Sequence, residues 1–184
     1  MFRRILLTIV LMGTGVAAWS QRLTIGTDAA EWLGFGTMNL DASAAVSRNI
    51  SLHVGASLNP WTFKEGKPDE QFQMRRLSYN AGLRWWPWHI YSGWWAGSDV
   101  MYIIYNEGGI LSREAEEGQA LGGSAWGGYS VMRSDRWNLD IGAGIRGGWK
   151  KYTVYTCPIC GVKTDSGEKG FLVPDARIAV QWIF

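Results

Sequence analysis

Two groups of residues in this sequence could do chemistry, and the sharper is Cys157-Pro158-Ile159-Cys160-Gly161. Cys-Pro-x-Cys-Gly is the knuckle that supplies half of a tetrahedral zinc or iron site, and a whole site needs two further ligands. The chain has no other cysteine, and its two histidines, His53 and His89, lie far from this loop in sequence. In an exported protein such a pair more often closes a small loop as a disulfide. A disulfide is therefore the favoured expectation, with half a zinc site completed by a partner as the alternative. A thioredoxin-like redox role would need a βα context that the flanking sequence lacks.

The second group is ionic. Asp28, Asp41, Asp99, Asp140 and Asp175 share one side-chain parity of their segments with Arg76, Arg84, Arg146, Arg177 and His53. Buried together they would pair, because an isolated buried charge is very costly. A filled ion-pair interior is expected, with a narrow proton or ion path as the alternative. Acid–base or nucleophilic catalysis needs partners within hydrogen-bond reach, and no Ser, His and carboxylate set is suggested. The expectation is no catalytic site, no cofactor and no enzyme.

The elements that must position these groups are strands of alternating polarity. The closing stretch Pro174 to Phe184 puts Phe184, Trp182, Val180, Ile178 and Ala176 on one parity and Gln181, Arg177 and Asp175 on the other. Successive strand side chains face opposite ways, so this is a wall with one apolar and one polar face. The same pattern recurs over 22–31, 38–46, 50–59, 74–86, 93–105, 119–132, 137–150 and 171–184, which predicts eight strands. The register over 119–132 is the hardest to read, because the segment is rich in Gly. Connections alternate between short (47–49, 87–92, 133–136) and long (64–73, 106–118, 151–170), as periplasmic turns and extracellular loops do.

A terminal Phe on an apolar parity suits the interfacial girdle of an outer-membrane barrel better than a soluble edge, where chain ends fray into water. The fold expected is all-β, an eight-stranded antiparallel up-and-down transmembrane barrel with periplasmic termini. Trp85, Trp88, Trp94, Trp137, Trp182 and Phe184 would lie near one interface, and Trp32, Trp61, Phe63, Tyr105, Trp149 and Tyr152 near the other. The runner-up, a soluble lipocalin-like barrel, would bury the apolar parity and need no such belts.

At the N-terminus, Arg3 and Arg4 precede an apolar run from Ile5 to Met12 and small residues to Ser20. That is the pattern of a secretory signal peptide over 1–20, with the run too short to span a bilayer as a helix. Of 184 residues, 164 then remain as one domain, 21–184, and losing two Arg from 18 basic residues leaves 16 against 16 acidic ones. A nucleic-acid partner, which requires a basic stripe, is not expected. The expected partners are outer-membrane lipid, the barrel-insertion machinery during biogenesis, and fimbrial or surface proteins.

The chain resembles a family of unknown function whose members are small outer-membrane β-barrels of Bacteroidetes, often encoded near fimbrial subunit genes. The resemblance rests on Asn59-Pro60-Trp61-Thr62-Phe63, Arg136-Trp137-Asn138-Leu139, Tyr155-Thr156 leading into the cysteine knuckle, and Val173-Pro174 before the closing strand. It implies a barrel of structural or surface-interaction type, accessory to fimbria or surface-protein assembly, that presents loops from a polar-filled interior. It implies no established activity.

Overall fold

The structure, a computed structural model, describes residues 23–67, 70–109 and 112–184. The expected signal peptide, 1–20, lies outside the described residues. Eight strands form one closed antiparallel ring in chain order: β1 Leu23–Asp28, β2 Met38–Ala45, β3 Ile50–Phe63, β4 Phe72–Trp85, β5 Gly93–Gly108, β6 Ala115–Ser134, β7 Trp137–Tyr155 and β8 Lys163–Ile183. Following residue partners once round the ring, Thr24 leads through Ser43, His53, Gly82, Asp99, Ser124 and Arg146 to Val173, yet Thr24 itself pairs with Ile183 of the same strand. The ring therefore closes with a stagger of ten residues along β8, which tilts the strands by about 40° to the barrel axis.

The alternation read in the sequence decides which face each residue takes. On β3, Ile50, Leu52, Val54 and Leu58 are exposed on the outer face, whereas Ser51, His53, Ser57 and Asn59 are buried inside. On β8, Ile178, Val180 and Phe184 face out while Ala179, Gln181 and Ile183 face in. The barrel thus wears its apolar residues outside and keeps most of its polar ones in the lumen.

The structure departs from the sequence expectations in the connections. Strands run on past the points where their apolar parity ends, because hairpin pairing continues through polar residues that face water on both sides. The expected loops 106–118 and 151–170 shrink to 109–114 and 156–162, and β6, β7 and β8 reach 20, 19 and 21 residues. In contrast, β1 stops at Asp28, and Ala29–Leu33 turns into a short helix, α1, rather than continuing the strand. Asp28 explains the switch: its carboxylate accepts from the Ala30 amide as an N-cap, and Glu31 follows in the first turn.

Candidate functional site

The lumen is built in layers, each set by inward residues of the staggered strands. At the end where β1 begins and β8 finishes, the turn between β4 and β5 folds into the barrel mouth. Trp86, Tyr91 and Trp95 pack there with Ala45 and Ile183 as a buried apolar plug. The Trp86 indole N–H donates to Ser51 Oγ at 3.0 Å, which lets a polar edge sit in a dry place. Tyr91 holds φ at 60°, unusual for a bulky residue; its carbonyl is fixed by the Ser130 hydroxyl at 3.1 Å and by the Asn138 side-chain amide.

Trp95 explains one glycine in β6 and one in β7. A Cβ added at Gly128 would stand 2.6 Å from its ring, and one at Gly142 2.9 Å. Two strands give up their inward side chains so that one indole can cross the lumen.

Above the plug lies the ionic layer. Arg84 donates to Asp140 at 3.0 Å and stacks over the Trp95 ring, 4.7 Å from its centroid. His53 Nε2 sits 2.6 Å from Asp99, whose other oxygen accepts from Ser124 at 3.1 Å. Arg177 donates to Asp41 at 2.7 Å and lies 3.7 Å from Asp28. Arg146 pairs with Asp175. Among these groups is an enclosed cavity of about 60 Å³, room for a few waters and no larger ligand.

Toward the opposite end, Met101, Ile103 and Ala120 form an apolar patch on the lumen wall with Tyr105 and Phe171 against it. Beyond that patch the lumen widens into an open cup of about 850 Å³. Four of its charged residues are again paired, Arg76 with Glu107 at 2.6 Å and Lys150 with Glu116. Glu31 reaches into the cup from α1, and burial, followed by the nearby Asp28 and Asp41 carboxylates, raises its pKa above the usual carboxylate range. Asp28, Asp41, Arg76, Arg84, Asp99, Asp140, Arg146, Asp175 and Arg177 are all lumenal, in five distinct clusters rather than one network. Glu107 and Glu116 join them only because β5 and β6 extend into the stretch expected to be a loop, whereas Lys150 stands on the inward parity expected of its strand.

At the tip of the β7–β8 hairpin, Cys157 and Cys160 are joined by a disulfide with their Cα atoms 5.2 Å apart. Among the described residues no cluster of three His, Cys, Asp or Glu side chains is arranged to hold a metal ion.

The outer face carries one aromatic group as expected and one that differs. Trp85, Trp88, Trp94, Trp137 and Phe184 are exposed near the terminal end, with Trp137 and Trp182 edge to face at 4.5 Å. At the other end, Tyr105 is inward on β5 and takes part in the lumenal patch, while Trp61 folds back to donate to the Gly36 carbonyl at 3.1 Å and Phe63 stacks on Phe72. Trp149 on the outer wall and Trp32 on α1 are exposed as expected, and Tyr79 and Tyr102 also face out.

No curated protein matches the chain. Over residues 5–184 the sequence matches the family described as "Protein of unknown function (DUF3575)". With that span the eight-stranded barrel and its layered lumen describe a member of this family, and the chain belongs to DUF3575.

Proposed function

We propose that this chain is an integral outer-membrane barrel, exported by the 1–20 signal peptide and inserted by the barrel-insertion machinery, with its termini in the periplasm and its long hairpins outside the cell. The observation that carries the reading is the inversion of polarity. Leu40, Val54, Leu83, Val100, Leu121 and Ile145 are exposed on the outer wall, while charged groups fill the lumen. Water makes such an exterior costly at about 25 cal/mol per Å² of apolar surface; hydrocarbon removes that cost, and a closed barrel leaves few backbone groups unpaired in it.

The lumen supports display rather than transport. Plug and ion pairs fill the ring one after the other, and the extended β6, β7 and β8 carry the chain's polar surface outward. The role that fits is a surface-interaction protein accessory to fimbria or surface-protein assembly, with fimbrial or surface proteins as partners. Two experiments test this. The mature chain should require detergent to remain monomeric, and its tryptophan fluorescence should fall when vesicles carry brominated acyl chains; a monomer stable without detergent and insensitive to the quencher refutes membrane residence. Pull-down from intact outer membranes should return fimbrial or surface-assembly proteins, and their absence refutes the accessory role alone.

A further inference from the structure

The barrel wall is incomplete on one side. β1 has six residues and β2 eight, fewer than the ~9–11 that a tilted strand needs to cross a bilayer. β1 pairs with β8 only from Thr24–Ile183 to Asp28–Ala179, so the remainder of β8, up to Lys163, has no strand on that side. The edge is quieted without a partner strand. The Ile178 amide donates to the Asp28 carboxylate at 3.1 Å, the Ala176 amide to Asp175 at 2.9 Å, and Pro174 has no amide hydrogen to satisfy.

Helix α1 stands in the gap in place of sheet, with Leu33 almost fully exposed at 87 %. The outer cup reaches this gap, because its lining includes both faces of β8: inward Phe171 and Asp175, and outward Pro174 and Ala176. Val173 is 41 % exposed although its parity is inward. The cup therefore wraps round a free strand edge and opens sideways as well as outward.

What would enter sideways is set by the surfaces that meet there. Outside the gap stand Leu33 and Leu172, both exposed. Inside, Ile103, Ala120 and Phe171 line the cup beside the same opening, with Met101 packed against them in the same apolar cluster. An apolar path thus runs from the outer wall to the interior, on the far side of the ionic layer from the aromatic plug. We propose that this gap is a lateral portal and that the cup binds one acyl chain of a bilayer lipid, which enters between α1 and β8 and lies against Ile103, Ala120 and Phe171. The cup's 850 Å³ exceeds the volume of a single such chain, so the paired Arg76, Glu107, Lys150 and Glu116 at its rim are left to face the headgroup.

The inference rests on the membrane reading above, and one experiment separates the two. The full-length mature protein is placed in vesicles of phosphatidylethanolamine and phosphatidylglycerol containing a lipid with a diazirine on one acyl chain, irradiated, and the labelled residues assigned by tandem mass spectrometry. Label on lumenal Ile103, Ala120 or Phe171 together with outward Val100, Leu121 or Ile145 is the expected result. Label on the outward residues alone overturns the portal and leaves membrane residence standing; label on neither overturns both. Ala120→Trp, which fills the inner end of the path, should reduce lumenal label at least tenfold while outward label persists, and unchanged lumenal label in that variant overturns the assigned path.

Discussion

The Arg84–Asp140 pair offers the most exposed consequence of the lumen's construction. Its side chains are 5 % and 0 % accessible, and the guanidinium is held between the carboxylate and the Trp95 ring. Asp140→Ala would leave Arg84 charged and without its partner within the ionic layer, a change that typically costs about 3–5 kcal/mol. That is roughly two to three and a half decades in the folding equilibrium, or a fall in Tm of about 6–20 °C for a chain this long. The reciprocal test is the double variant Arg84→Met with Asp140→Leu. It removes the charge with its partner and, since well-packed apolar pairs often match or exceed buried ion pairs, should recover most of the loss. Urea unfolding in phospholipid vesicles, followed by tryptophan fluorescence, reads all three proteins on one scale. A single variant within about 1 kcal/mol of wild type, or a double variant no better than the single, would refute the claim that this pair is dry and mutually dependent.

Four further outcomes follow from the same structure. Gly128→Ala places a methyl group against the Trp95 ring and should destabilise by about 1–3 kcal/mol, whereas Gly127→Ala, next to it but facing open space, should be close to neutral; equal effects in the urea assay would contradict the cradle. Glu31→Gln should stabilise at neutral pH, because a carboxyl whose pKa is raised on folding loses stability as pH rises through its folded value, and the gain should vanish at pH values below the ordinary carboxylate range; a pH-independent effect in thermal melts would show that burial does not act on that charge. Trp86→Ala should cost about 3–5 kcal/mol yet give no conductance in planar bilayers, since the ionic layer above it still fills the ring; stable channels would mean that the plug alone seals the barrel. Thiol titration of the unreduced protein should find no reactive thiol, with two appearing after reduction, and Cys157→Ser with Cys160→Ser should cost at most about 2 kcal/mol because the loop closed is so short; two free thiols with stoichiometric zinc would replace the disulfide by a metal half-site.

The parity of charged and apolar residues was readable wherever a strand alternates cleanly, as on β3, β7 and the end of β8, and there each lumenal Asp and Arg lies on the face expected. What could not be read were contacts made across the lumen. The glycines of β6 look like weak patterning until Trp95 is placed opposite Gly128 and Gly142, and nothing local to either strand announces that indole. Trp94 and Trp95 occupy both parities, and only the barrel shows that the first faces out while the second crosses the interior. Trp86 and Tyr91 hide behind Pro87, where alternation ends and a turn is the natural expectation. Helix α1, by contrast, had a local signal: Asp28 followed three residues later by Glu31 is an N-cap pattern, masked by a strand period that could be continued through Ala29. The pairs Arg76–Glu107 and Lys150–Glu116 were half visible, since their partners stood in stretches expected to be loops.

The rim is uneven, and the unevenness has a mechanical meaning. Beyond Leu172, β8 continues through nine more residues to Lys163, whereas β3 and β4 end at Phe63 and Phe72. At about 3.3 Å per residue and a tilt near 40°, the β7–β8 tip stands roughly 20–25 Å above the outward aromatic zone. A broad body settling on this barrel cannot rest flat: it strikes a tall palisade on one side and a low sill on the other. Whatever docks on this end of the barrel arrives leaning, with the disulfide-pinned crest touching first and setting its direction of approach.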